Sequence, residues 1–263
     1  MDPQARIILL GGSNLARGIS TIVEIARQIG ADAKGGGGSV EFLIAKGHGR
    51  SYGKPSTVLG RGLPGILGCG LWDALDPHDQ RPTFALITDI GNDVAYGAEV
   101  AAIAEWVGTC IQRLAEARAR IVMTTLPMDS LRKLSPGRFR VARSILFPAN
   151  RFSLDEALDR CAELDERIRR LASSHGARIM EHEGHWYGLD PIHIKQRHRV
   201  AAWTRIMGAW SDVPETRIQV RRSALRWLRL RSLTPQRWRL LGSERGRPQP
   251  AGRLAGGSTI SLF

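Results

Sequence analysis

The sequence predicts a three-layer α/β/α domain built on a parallel sheet, and three observations carry that prediction. Short apolar runs rich in β-branched residues and bounded by turn residues recur along the chain. Between them lie segments whose apolar residues return every three or four positions among charges, which is the helical period. The 263 residues are 43% hydrophobic and 24% charged, so a full core is available and collagen, coiled-coil and wholly disordered chains are excluded. Strands alternating with helices imply parallel pairing with helices on both faces, and function in such sheets collects in loops at the carboxyl ends of the strands.

The elements follow in order. Arg6 to Leu10 reads as the first strand and ends in Gly11-Gly12-Ser13-Asn14-Leu15, ahead of a helical pattern from Ile19 to Gln28. Ser13 therefore sits at a strand-to-helix turn, where its hydroxyl serves equally as a helix N-cap or as a nucleophile. The glycine run 35–38 falls at the opposite rim and reads as a surface turn. Val40 to Ala45 is the second strand, running into Gly47-His48-Gly49-Arg50-Ser51-Tyr52-Gly53, whose glycines let backbone N–H groups turn toward an anion or simply make a tight turn. Thr83 to Thr88 is the third and ends in Asp89-Ile90-Gly91-Asn92-Asp93; Asp89 reads as a turn residue and Asp93 as a helix cap. A helix over Glu99 to Ala117, a strand over Arg120 to Thr125, a helix over Leu154 to Ser173 and a last strand over Ala177 to Met180 complete the alternation. Beyond it comes Asp190-Pro191-Ile192-His193, in which three-residue spacing lets one segment hold an imidazole and the carboxylate that orients it.

No one of these features specifies a reaction; their order does. Serine, glycine turn, asparagine and Asp-x-x-His follow the first, second, third and last predicted strands, and in this the sequence resembles the SGNH hydrolases, the GDSL lipase and esterase superfamily, over about residues 6 to 208. The resemblance implies a flavodoxin-like SGNH hydrolase fold and a serine hydrolase acting on an ester or thioester through an acyl-enzyme. It implies Ser13, His193 and Asp190 as the triad, and the Ser13 backbone N–H, Gly49 and Asn92 as oxyanion donors, with Gly53 the other glycine that fits the loop. The chain departs from the family pattern at Gly12, where Asp is usual, at Asn14, which intrudes before Leu15, and at Ile90, where Gly is commoner. The chemistry needs these types together, because a serine hydroxyl is a poor nucleophile until a histidine removes its proton and the tetrahedral oxyanion needs preorganised donors. It needs no metal and no organic cofactor; His182 and His185 lack the helical frame of a zinc protease. Gly53, Trp186 and Tyr187 are candidates for substrate contact, the two aromatics serving the core equally well. Two rival readings are an O-acyltransferase or deacetylase working on carbohydrate hydroxyls, and a catalytically idle binding protein whose basic tail is the working part.

The net charge of +13 is unevenly spread, since Arg217 to Arg253 holds 11 Arg and one acidic residue, Glu244. The expected division is a catalytic domain over residues 1–212 and an Arg-rich extension over 213–263, partly disordered or amphipathic. That tail reads either as an end that is solvated or docked on the parent domain, or as an active segment, in which case Trp227, Trp238 and the leucines among those arginines favour an anionic membrane surface over nucleic acid as its partner. Three widely spaced cysteines suit reduced thiols, and the absence of a secretion pattern or long apolar run leads to the expectation of a cytoplasmic protein, membrane-peripheral through its tail.

Overall fold

The computed structural model describes residues 3–32, 38–140, 151–210, 218–220 and 223–263. The glycine run at 35–38, apart from Gly38, and the expected domain boundary near residue 212 lie outside the described residues. The predicted strands form as β1 (Ala5–Gly11), β2 (Val40–Lys46), β5 (Thr83–Ile87), β6 (Arg120–Thr124) and β7 (Arg178–Met180). Two short strands intervene, β3 (Ser56–Val58) and β4 (Arg61–Leu63). The predicted helices form as α1 (Ser13–Asp32), α3 (Val100–Glu116) and α5 (Leu154–Ser174), with the short α2 (Asn92–Ala95) and α4 (Met128–Leu131) between them and α6 (Arg199–Gly208) after β7.

These strands pair in parallel in the order β2-β1-β5-β6-β7, so the chain winds outward first to one side of β1 and then to the other. The crevice at the carboxyl ends of β1 and β5 is the switch point of this winding, the place where two successive loops leave the sheet in opposite directions. Strand alternation divides the core in two. Ile8, Leu10, Leu43, Ala85 and Ile87 face α3 and α5, while Ile7, Leu9, Phe42, Ile44, Phe84 and Leu86 face α1 and α6. Both sheet faces are therefore covered, as a parallel sheet requires.

The segment expected as an Arg-rich extension, partly disordered or amphipathic, is built into the sheets over its described residues from 223 onward. It forms α7 (Ala224–Ser232), β8 (Arg237–Leu240), β9 (Ser243–Gly246), β10 (Gly252–Arg253) and β11 (Thr259–Leu262). Strand β11 lies parallel to β2 on the outer edge of the main sheet, with β10 antiparallel beyond it, so the sheet has seven strands and is mostly rather than wholly parallel. Ile260, Leu262 and Phe263 are buried in the core, and β8 and β9 pair with β3 and β4 in a second, four-stranded sheet. The physical reason is that an edge strand draws its stability from its neighbour's hydrogen bonds and from the core it covers, neither of which is visible in a local run of Arg, Gly and Pro. Among the described residues no helix is long and apolar enough to cross a membrane.

Candidate active site

Strand β1 delivers Ser13 to the first turn of α1, and its side chain does not cap that helix. Capping comes from Asp89, at the end of β5, whose Oδ2 accepts the N–H groups of Gly12 at 2.9 Å, Asn14 at 3.1 Å and Leu15 at 3.2 Å. A carboxylate at a helix N-terminus satisfies its orphan donors and complements its dipole. Asp89 itself has φ of 60°, a left-handed conformation that Asp tolerates better than most residues, so it is more than the turn residue the sequence suggested. The Ser13 hydroxyl is thereby left to donate to His193 Nε2 at 2.8 Å, while His193 Nδ1–H donates to Asp190 Oδ2 at 2.6 Å. Because a carboxylate only accepts, that second bond fixes the imidazole tautomer and leaves Nε2 facing Ser13 as an acceptor.

Asn14, which departs from the family pattern, holds the two halves of this arrangement together. Its amide nitrogen donates to Asp89 Oδ1 at 2.8 Å and to the Ile192 carbonyl at 2.7 Å, and its oxygen accepts the Ile194 N–H at 2.9 Å. One buried side chain thus grips the main chain on both sides of His193. Asp190 is held in turn by the N–H groups of Ile192 and His193, each at 3.2 Å, and Arg17 stands 3.7 Å away. Burial alone would raise the Asp190 carboxyl, but the hydrogen bond and charge of His193, the Ile192 N–H and the Arg17 guanidinium outweigh it and hold the group below its ordinary value.

The segment after β5 also organises the second loop. Asp93 is buried and accepts the Ser51 hydroxyl and, at 2.8 Å, the Tyr52 N–H, so it pins the glycine loop instead of capping a helix. Asn92, between the two aspartates, donates from Nδ2 to the Arg50 carbonyl at 3.2 Å and lies against the serine turn: a β-carbon on Gly12 would come within 2.3 Å of that nitrogen. A side chain at position 12 would thus have to displace Asn92 and would crowd Asp89. Gly49 has φ of 60° and its carbonyl accepts the Tyr96 hydroxyl at 2.6 Å. Gly53 is set apart from the serine, with its N–H donating to Ser51 Oγ at 3.2 Å and its α-carbon pressed on Trp106.

Ser13, Asn92, Asp190 and His193 open on a cavity of about 700 Å³, walled by Leu126, Leu131, Leu134, Phe139, Leu154 and Leu158 on the side of α4 and α5 and rimmed by Arg17 and Leu189. Trp186 and Tyr187, expected as candidates for substrate contact, are instead buried in the core on the α1 and α6 side, 2% and 4% exposed, and neither Gly53 nor Gly49 is among the residues lining the cavity. Tyr187 touches the cavity wall from behind, its hydroxyl bonding His182 Nδ1 at 2.7 Å. Burial pushes His182 down to about 4, so it lines the cavity as a neutral ring. His185 pairs with Glu183 at 3.0 Å and, like His182, packs edge-on against Trp186.

No family model and no curated protein matches the chain. Solved structures do. The inhibitor-bound form of M. smegmatis aryl esterase is 16% identical, with a TM-score of 0.50, the match covering 78% of this chain and 99% of that one. Est24, a carbohydrate acetylesterase from Sinorhizobium meliloti, is 16% identical with a TM-score of 0.49 over 77% of this chain and 97% of its own. AlinE4, an SGNH-hydrolase family esterase, is 15% identical with a TM-score of 0.42 over 88% and 92%. At such identities the likeness is one of fold: a mostly parallel sheet between helical layers, the α/β fold of the SGNH hydrolases.

Proposed function

We propose that this protein is a serine hydrolase that cleaves an ester or thioester through an acyl-enzyme intermediate. The observation that carries the reading is the unbroken series from Ser13 Oγ to His193 Nε2 at 2.8 Å and from His193 Nδ1 to Asp190 Oδ2 at 2.6 Å, at the mouth of an apolar cavity. Ser13 Oγ attacks the carbonyl carbon as His193 Nε2 takes its proton, and Asp190 stabilises the imidazolium that forms. The negative oxygen of the tetrahedral intermediate is met by the N–H groups of Ser13 and Gly49 and by Asn92 Nδ2. That nitrogen carries two hydrogens; the bond to the Arg50 carbonyl uses one and aims the other. Collapse expels the alcohol or thiol, which leaves with the proton from His193. Water then attacks the acyl-enzyme, gives a proton to His193, and the carboxylic acid departs as Ser13 recovers its own.

The cavity favours an apolar acyl or alcohol chain over a sugar. Leu131, Leu134, Phe139, Leu154 and Leu158 offer no partners for carbohydrate hydroxyls, which are costly to desolvate unpaired. The deciding experiment is labelling by a fluorophosphonate together with turnover of nitrophenyl esters of increasing chain length. Ser13→Ala removes labelling and turnover from a folded protein, and turnover of the wild type rises from acetyl toward medium-chain esters. Labelling that persists in Ser13→Ala at another serine, such as Ser51, overturns the assignment.

A further inference from the structure

The second sheet ends in two turns of the same design lying side by side. β3 and β4 are joined by Leu59-Gly60, with φ of 49° and 75°, and β8 and β9 by Leu241-Gly242, with φ of 48° and 85°. Two positive φ values in a two-residue hairpin mark the type I′ turn, whose first position strongly prefers Asn, Asp or Gly because a β-carbon is strained there. Leucine is a poor choice on backbone grounds, and it is made twice. Neither leucine enters the core: Leu59 is 100% exposed and Leu241, whose side chain lies against Gly60, 84%. The Leu241 N–H donates to the Gly60 carbonyl at 2.9 Å, and Arg61 pairs with Leu240, itself 44% exposed, so the tips form one apolar point. Arg61 and Arg239 stand next to it, Arg237, Arg245 and Arg247 are exposed farther back along the same hairpin, and the one acid of these strands, Glu244, is engaged by Arg239 at 2.8 Å.

We propose that the Leu59-Gly60 and Leu241-Gly242 turns, backed by these arginines, dock this protein onto an anionic lipid surface. Apolar tips without a pocket to enter gain nothing from water but transfer favourably into acyl chains, and a flanking set of guanidinium groups matches anionic headgroups. Nucleic acid accounts for the arginines but not for two solvated leucines held at strained positions, since phosphate contacts need charge alone. The proposal differs from a tail acting as a detached basic segment, because one tip, Leu59, comes from the body of the chain and the other is fixed to it by sheet hydrogen bonds. Val58, one residue before the first tip, touches Gly49 in the glycine loop, although docking does not depend on the candidate site's chemistry.

The test is flotation of the full chain with vesicles of phosphatidylcholine alone or with phosphatidylglycerol added. The wild type floats with the anionic vesicles at low salt and not with the neutral ones. Leu59→Asn combined with Leu241→Asn supplies the residue that the turns prefer, so the thermal midpoint stays level or rises, while vesicle partition falls about tenfold or more. As a second readout, Leu59→Cys carrying an environment-sensitive fluorophore brightens and shifts to the blue on anionic vesicles alone. A wild type that stays in solution with anionic vesicles, a double variant that floats as well as the wild type, or a fluorophore that reports water throughout overturns the proposal. Retardation of DNA with no flotation does so as well and assigns the arginines to nucleic acid.

Discussion

At the residue scale the most informative side chain is Asn14, which is 8% exposed and makes three hydrogen bonds that no neighbour can replace. Asn14→Ala leaves the buried Ile194 N–H and one Asp89 oxygen without partners, a loss of about 1 to 3 kcal/mol in stability. It also frees the main chain around His193, so the imidazole drifts from Ser13. We expect the turnover number to fall by about 10 to 10² with the Michaelis constant little changed, because misplacement of this kind acts on the reacting geometry and not on substrate binding. Steady-state kinetics with the rate of fluorophosphonate labelling checks this, since a purely structural role lowers the active fraction and leaves the rate per active molecule intact. Ser13, Asn92, Asp190 and His193 could be read from the sequence because each follows a strand in a fixed order. Asn14 and Asp89 could not, since their importance lies in bonds to each other across 75 residues and to a third segment beyond position 190. The nearest signals were two aspartates flanking Asn92 and a polar residue placed where an apolar helix begins.

At the scale of elements, five strands and three helices were legible because each carries its own apolar period and its own turn residues. The strands from β8 onward were not, as Arg237-Trp238-Arg239-Leu240 puts only Trp238 and Leu240 on its apolar face and forms through pairing with β4 and β9, and β11 is stabilised by pairing with β2. Their contribution is nonetheless large. Phe263 is 3% exposed within the core between the sheet and α3, its N–H donates to the Ile44 carbonyl at 3.0 Å, and its carbonyl oxygen accepts from the fully buried Arg50. Arg50 in turn donates to Pro64 at 3.1 Å and Lys46 at 3.4 Å, so the last strand and the glycine loop share one support. Phe263→Ala is expected to lower stability by about 3 to 5 kcal/mol through the cavity it leaves, read as a shift of the urea midpoint at constant slope. An unchanged midpoint would mean that the segment rests on the domain without completing it.

For the molecule as a whole, the charge of +13 is concentrated in the segment from Arg217 to Arg253, with 11 Arg and one acid, and that segment's strand β8 pairs with β4. Such concentration favours encounter with anionic surfaces and works against the compact state by self-repulsion. Lys46 registers that repulsion. Removal from water, followed by the fields of Arg61, Arg50 and Arg231, pushes its ammonium group from 10.5 down to about 8. Between those values the unfolded chain binds the proton and the folded chain does not, so stability associated with Lys46 rises as the pH climbs from about 8 to 10.5. Below about 8 both states are protonated and the full penalty is present, on the order of 3 kcal/mol. Lys46→Met keeps the length of the side chain without the charge. We therefore expect it to be more stable than the wild type at pH 7, with the difference shrinking steadily as the pH is raised through 8 toward 10.5. Buried cysteines also titrate in the upper part of that window, with the opposite sign, so the measurement is the difference between the two proteins in urea unfolding at each pH, in which their contribution cancels. A difference that is constant with pH would show that Lys46 keeps its ordinary affinity for the proton and that the arginines around β2 are too well solvated to act on it.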